Sequence, residues 1–161
     1  MKHSQYIANR LREVFLTGKW IANTNYKEQI SGLTIDEATR KIGSFNSIAS
    51  LVYHINYYLE GLLEVLNGGP LTISDRYSFD LPHMQSENDW QELIQRFLQN
   101  AEAFAVKVES LSDKQLERDF VDEKYGSYMR NIEGVLEHSY YHLGQITLLK
   151  KMIGQKNSLH Q

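Results

Sequence analysis

Cysteine is absent from all 161 residues of the sequence. This absence excludes disulfide bonds, thiolate metal ligands and a cysteine nucleophile. Proline is scarce, because Pro70 and Pro82 are its only two occurrences, and no apolar run approaches the roughly 20 residues that a membrane-spanning helix needs. The Met-Lys-His-Ser-Gln start is polar and lacks the apolar segment of a signal peptide. We therefore expect a cytoplasmic protein without a membrane partner.

The sequence also has no excess of positive charge. It contains 17 lysine and arginine residues and 20 aspartate and glutamate residues, which gives a net charge of −3. A surface that binds a phosphate backbone needs clustered positive charge, so we expect no direct binding to DNA or RNA. Hydrophobic residues make up 42% of the chain and charged residues 23%, which is typical of a globular protein. The length matches one domain, and we predict a single domain over residues 1–161.

Four long segments without proline repeat apolar residues at three- and four-residue steps, which is the spacing of one helix face. Gly18 and Gly154, which follow the first and last of these segments, fit helix stops. The pattern predicts four long helices over these ranges: about Ser4–Thr17, from Ser44 or Asn46 to Asn67, from Ser86 through Val108, and about Tyr128–Ile153.

Shorter signals lie between the long helices. Thr34 and Glu37 form a capping-box pattern that predicts a short helix ending at Gly43, and Ser112 with Gln115 predicts one further turn. Four amphipathic helices bury their apolar faces most simply against one another. We therefore predict an all-α four-helix bundle with long connections and one or two short extra helices, without assuming simple up-and-down order. Three connections are expected between the helices. Residues 20–32 form a polar connection, residues 68–86 form a long loop without clear periodicity, and residues 118–127 form an irregular link.

Three of the six histidines fall within predicted helices. His138 and His142 are four residues apart, so both rings lie on one face of the last helix. His54 lies at the margin of the apolar stripe of the second long helix. A buried imidazole needs a partner, so hydrogen-bonded core histidines are one interpretation. The other is a metal site, because three neutral imidazoles can bind a zinc-like ion and leave a fourth position open.

Several residues near these histidines are candidates for supporting roles. Gln145 either orients a ligand or substrate, or makes an interhelical hydrogen bond. Tyr58 follows His54 by one turn, and its phenol either donates to a developing negative charge or fills the core. Gln145 and Tyr58 are thus the catalytic candidates. Each metal-binding ring should donate its second nitrogen to a fixed acceptor, for which we consider carbonyls, tyrosine oxygens, Glu60 and Glu137.

Other residues are predicted to serve packing or to face solvent. Trp20 either packs against the core or walls the site. Gly134 and Gly144 weaken the last helix, and close approach of another helix would explain them. The remaining histidines are expected at the surface: His3, His83 and His160.

Taken together, these motifs resemble the DinB-like superfamily, a group of small four-helix metalloproteins that includes damage-inducible and YfiT-like proteins. The resemblance rests on His54 in Ser-Ile-Ala-Ser-Leu-Val-Tyr-His-Ile and on His138-Ser-Tyr-Tyr-His142-Leu-Gly-Gln145-Ile, and it covers essentially the whole chain. It implies that His54, His138 and His142 hold a divalent metal such as zinc or nickel. Relatives often carry arginine directly after the last histidine, where this sequence has Leu143, so the resemblance does not extend to an anionic substrate group there.

The family also implies classes of activity. Characterised members include thiol-dependent S-transferases and isomerases that use bacillithiol or mycothiol. The resemblance therefore implies a metal-dependent S-transferase that acts on small electrophiles in stress or detoxification. Its cosubstrate would be a low-molecular-weight thiol, because the chain has no cysteine. A hydrolase that uses metal-bound water and a non-catalytic metal-binding bundle are the alternatives, and family analogy suggests a homodimer.

Overall fold

A computed structural model describes residues 2–158 of the protein, with side chains through residue 155. No β-strand forms among these residues, although Asp119 and Ser127 make one isolated bridge. The predicted all-α fold with four long helices is confirmed. Residues 2–158 form seven α-helices and two short 3₁₀ turns, at Asp75–Tyr77 and Glu123–Tyr125. These helices are α1 (His3–Phe15), α2 (Tyr26–Ile30), α3 (Ile35–Thr39), α4 (Ile48–Leu66), α5 (Glu87–Glu109), α6 (Asp113–Glu117) and α7 (Tyr128–Ser158).

Capping boxes start three of the helices. In each, a side-chain hydroxyl accepts a hydrogen bond from the amide three residues later, and that later side chain bonds back to the cap amide. α3 nevertheless ends at Thr39 and not at the predicted Gly43, because Arg40 already adopts an extended conformation. The boxes stand at the start of α3, α5 and α6: Thr34 with Glu37, Ser86 with Asp89, and Ser112 with Gln115.

Two further helix predictions are wrong. Helix α2 forms inside the segment 20–32, which we predicted to be a polar connection. The Asn25 side chain accepts a hydrogen bond from the Glu28 backbone amide and caps this helix. Helix α7 continues through Gly154 to its end at Ser158. A single glycine costs about 1 kcal/mol relative to alanine, which does not end a long helix that is stabilised elsewhere.

The connection between α1 and α2 turns Trp20 toward solvent. Its side chain is 87% exposed, so both predicted roles, core packing and a wall of the site, are wrong. The turn is closed by polar contacts instead, since the Asn25 amide donates to the Gly18 carbonyl at 2.9 Å. Asn23 adopts a φ of 55° at the tip of this turn, a left-handed conformation that asparagine tolerates.

The four long helices form a ring in which α1 and α4 each contact both α5 and α7. Helix α1 therefore lies diagonally opposite α4, and α5 lies diagonally opposite α7. The chain crosses the bundle twice, from α1 to α4 and from α5 to α7, and the short helices α2, α3 and α6 lie in these crossings. The order thus departs from simple up-and-down topology.

Aromatic side chains join the first crossing to the bundle core. The rings of Phe15, Tyr26 and Phe97 pack with centroids 5.2–5.6 Å apart. The buried Tyr26 hydroxyl donates to the carbonyl of Ser139 at 2.8 Å, which ties α2 to α7. Among the described helices, none combines the length and the apolar composition that crossing a bilayer requires.

Candidate metal centre

Three histidine side chains converge between α4 and α7. His54 lies on α4, and His138 and His142 lie one turn apart on α7, which packs against α4. Nε2 of His138 is 3.1 Å from Nε2 of His54 and 2.9 Å from Nε2 of His142. One nitrogen from each ring lies within 4.8 Å of the other two. The structure therefore brings the three predicted ligands into one cluster.

Two of the rings are oriented through their other nitrogen. His54 Nδ1 donates to the carbonyl oxygen of Ser78 at 3.3 Å, and His142 Nδ1 donates to Oε1 of Gln145 at 2.8 Å. These oxygens carry no hydrogen and can only accept, so each Nδ1 holds the proton and each Nε2 presents a lone pair. Both lone pairs face the position where Nε2 of His138 also lies.

Burial keeps the three rings neutral. His54 and His142 are each 6% exposed. Burial, followed by the two neighbouring imidazoles, lowers the pKa of His54 from 6.5 to about 4. Burial also lowers the pKa of His138 and that of His142. At neutral pH the rings are therefore uncharged, which is the form that binds a metal ion.

Hydrogen bonds among the three rings cannot give all three Nε2 atoms a partner at once. With a proton on Nε2, His138 faces two lone pairs and donates well to only one, and without that proton three lone pairs face one another. A cation at the centre can accept all three lone pairs. Zinc–nitrogen bonds of about 2.0–2.1 Å place tetrahedral ligands about 3.3 Å apart. Two of the three nitrogen pairs, at 2.9 and 3.1 Å, are close to this separation, and the third pair lies within 4.8 Å. The residues thus fit a divalent metal site with three histidine ligands.

Aromatic rings surround the cluster. Phe79 stacks on His54 with ring centroids 3.9 Å apart and planes 10° apart. Tyr58 meets His54 and His138 edge-on, at centroid distances of 5.1 and 5.4 Å. The Tyr58 hydroxyl donates to Oδ1 of Asp75 at 2.5 Å. Burial and this carboxylate raise the pKa of Tyr58 to about 12, so the phenol keeps its proton at neutral pH.

A cavity of about 430 Å³ opens beside the cluster. Its wall includes the side chains of His138, Tyr58 and Asp75. Its volume falls within the roughly 300–1,000 Å³ that is typical of small-molecule sites. A molecule in this cavity would therefore contact the histidine cluster through His138.

Comparison with known proteins agrees with this arrangement. The family model of the DinB superfamily matches residues 22–146, which include all three clustered histidines. The chain belongs to the DinB superfamily. The resemblance inferred from the sequence is confirmed, although comparisons with curated proteins and with solved structures give no significant match.

Both catalytic candidates of this DinB protein contact the histidine cluster. Gln145 accepts the hydrogen bond of one ring, and Tyr58 packs against the other two. The carboxylates considered as acceptors do not orient a histidine. Glu60 accepts hydrogen bonds from asparagine side chains, and Glu137 pairs with Arg130 at the surface.

The segment 68–86 supplies three residues to the DinB site that sequence reasoning missed: Asp75, Ser78 and Phe79. Ser78 acts through its main-chain carbonyl, which every residue type has. The other two act through side chains that stand in a segment without periodicity. The usable signal is the length of the segment itself, because long loops in compact domains tend to be functional.

Two other predictions can be compared with the structure. His3 and His83 are exposed as expected, whereas His160 lies outside the described residues. Close helix approach does not explain the two glycines of α7. A Cβ on Gly144 would meet no atom within 4 Å, and one on Gly134 would meet only Nη1 of Arg130, at 3.9 Å. That prediction is wrong, because neither glycine faces another helix at close range.

Proposed function

We propose that this protein is a metal-dependent enzyme that joins a low-molecular-weight thiol to a small electrophile. The observation that carries the proposal is the convergence of three Nε2 atoms, with contacts of 2.9 and 3.1 Å, beside a cavity. In this proposal His54, His138 and His142 hold a divalent ion such as zinc or nickel. Three protein ligands leave one position open for a substrate, whereas a purely structural zinc is usually closed by four.

The reaction needs a nucleophile near neutral pH. A divalent cation held by His54, His138 and His142 would lower the pKa of a thiol or a water molecule bound to it. The chain has no cysteine, so the thiol comes from solution. Its sulfur forms a bond to the electrophilic carbon, and the leaving group departs with the electron pair of the broken bond. The thiol proton passes to a base.

Asp75 is the side chain that we assign as this base. Its carboxylate lines the cavity together with His138. Oδ1 accepts the hydrogen bond of Tyr58, which fixes the carboxylate and leaves Oδ2 to take the thiol proton. Phe79 covers one face of His54 and so limits access of water from that side. Tyr58 therefore positions Asp75, and Phe79 positions His54.

A metal-dependent hydrolase is the second candidate function. The observation that favours it is again Asp75, because a carboxylate at the cavity wall can accept a proton from water as well as from a thiol. Membership of the DinB superfamily favours thiol transfer, since characterised members include thiol-dependent transferases.

Metal content tests the ligand set. Protein that is supplemented with zinc or nickel should retain about one equivalent of the ion. His142→Ala should lose this ion while its helical circular dichroism is preserved. His83→Ala is the matched control, because His83 is exposed and lies outside the cluster. Retention of the ion by His142→Ala at wild-type affinity would show that the ligand assignment is wrong.

Conjugation of monochlorobimane with a panel of low-molecular-weight thiols tests the reaction. The metal-loaded protein and His83→Ala should accelerate conjugation with at least one thiol, whereas metal-free protein and His142→Ala should not. Conjugation no faster than the metal-free control across the whole panel refutes thiol transfer. Metal-dependent hydrolysis of an ester by the same preparation would then support the second candidate.

A further inference from the structure

Polar and apolar side chains line the cavity beside the histidines in about equal number. The acidic side chain among them is the exposed carboxylate of Asp75. The wall belongs to α4, to the segment that follows it, to the segment that precedes α7, and to α7 itself. The apolar wall consists mainly of Leu62, Leu71, Ile73, Phe120 and Val135.

Gly134 lies in the wall of this cavity, within the interior of α7. Glycine weakens a helix interior relative to alanine. Packing gives no reason to accept that weakness, because an added Cβ would contact only Nη1 of Arg130, at 3.9 Å. The missing side chain instead leaves room in the cavity.

Two positive charges on the segments around the cavity are paired with an acid, and Arg76, next to Asp75, lies over the ring of Tyr77. Arg130 pairs with Glu137 at 3.1 Å, and Lys124 pairs with Asp122 at 3.2 Å. Among the described residues that line the cavity there is no lysine or arginine, and Asp75 carries a negative charge there. In the metal-free protein, an anionic group that entered would lose its water without gaining a cation, so this charge pattern disfavours the binding of anions.

We infer that this cavity binds an uncharged molecule that carries an apolar group, and that Gly134 is the specificity-determining residue that leaves room for that group. The inference rests on the proposed function only where it assigns this molecule as the electrophilic substrate. The cavity and the glycine are present in the protein without the metal, so their ligand preference can be measured on metal-free protein.

Binding of N-phenyl-1-naphthylamine, an uncharged two-ring probe whose fluorescence rises in apolar surroundings, tests the role of Gly134. Gly134→Leu should weaken binding by about tenfold or more, because its side chain would fill the cavity. Gly144→Leu is the matched control, since Gly144 is exposed on the same helix and has free space around it. It should bind the probe like wild type. Circular dichroism of Gly134→Leu and of Gly134→Ala shows whether each variant preserves the helix.

The site of binding can be observed directly. The probe should shift the backbone amide NMR signals of residues 131–135, of which Asn131, Gly134 and Val135 line the cavity, and should leave those around Leu148 unchanged. Equal probe affinity in Gly134→Leu and Gly144→Leu, or shifts that are absent from residues 131–135, would overturn the inference.

The charge preference is tested with 1-anilinonaphthalene-8-sulfonate, which has the same ring system with an added sulfonate. Wild type should bind it about fivefold more weakly than the uncharged probe, and Asp75→Asn should narrow this difference. Equal affinity for both probes in wild type would overturn the preference for an uncharged ligand. These binding measurements need no metal. Their outcome is therefore independent of the metal and conjugation experiments, and failure of the inference can be distinguished from failure of the proposed function.

Discussion

Replacing Gln145 with leucine removes the acceptor of the His142 Nδ1 proton while the side chain keeps a similar size. In the structure this hydrogen bond is 2.8 Å long and fixes the proton on Nδ1. Without an acceptor, the proton redistributes between the two ring nitrogens, and the tautomer with hydrogen on Nε2 has no lone pair for the metal. We therefore expect Gln145→Leu to bind zinc more weakly than wild type.

The loss of zinc affinity in Gln145→Leu depends on which other contacts hold the His142 ring in place. Loss of a partner that orients a metal-binding histidine typically costs about 10–100-fold in affinity, or ~1.4–2.8 kcal/mol. His142 is only 6% exposed and keeps its contact with the Tyr141 ring at 4.9 Å, so it stays close to its place. We therefore expect a loss near the lower limit, about tenfold. Gln145→Glu keeps an acceptor and should bind zinc at least as tightly as wild type.

Competition with a chelating zinc indicator measures these affinities at neutral pH. The comparison needs wild type, Gln145→Leu, Gln145→Glu and His142→Ala, with circular dichroism to verify the helices. If Gln145→Leu binds zinc as tightly as wild type while His142→Ala does not bind it, the hydrogen bond has no role in orienting the ligand and the reasoning fails.

Three further predictions concern the stability of the fold and its link to the site. Trp90→Phe should lower the free energy of unfolding by about 1–3 kcal/mol, because the buried carbonyl that its indole N–H bonds at 2.9 Å loses its donor; an unchanged urea midpoint would contradict this. Burial raises the pKa of Tyr26 well above 10, so the folded state keeps a proton that the unfolded state releases. The stabilising contribution of this proton is therefore full below about pH 10 and is lost as the pH rises above it. Tyr26→Phe should lose less free energy of unfolding than wild type between a pH below 10 and a pH above 10, as measured by urea denaturation. A Cβ on Gly61 would collide with Ile73, so Gly61→Ala should displace the segment that carries Ser78 and weaken zinc binding with the helical circular dichroism intact; wild-type zinc affinity would refute this.

Helix starts could be predicted because their causes are local. A capping box needs two side chains three residues apart, and such pairs stand before α3, α5 and α6. The same kind of signal, Asn25 before Glu28, marked α2, where the apolar residues Tyr26 and Ile30 are also four residues apart. It was missed because the surrounding segment is polar. The end of α7 was harder to predict, since one glycine lowers helix stability without fixing where a helix ends.

The site could be predicted only where helices carry it. The four-residue spacing of His138 and His142 puts both rings on one face whatever the rest of the fold does. The acceptor of His54 is 24 residues away along the chain, at Ser78, and the ring that stacks on it, Phe79, is its neighbour in sequence. Their positions depend on the path of a segment without periodicity, which composition does not reveal.

The group that orients His54 belongs to the main chain, and this has an evolutionary consequence. A carbonyl is the same in every amino acid, so position 78 can change to any residue small enough for its buried surroundings without loss of the acceptor. The requirement falls on the number of residues between α4 and Phe79, because that number decides where the carbonyl arrives. Insertions or deletions within 68–77 should therefore harm DinB proteins built this way more than most single replacements at position 78. Conservation of loop length is then a better marker of this contact than conservation of residue type.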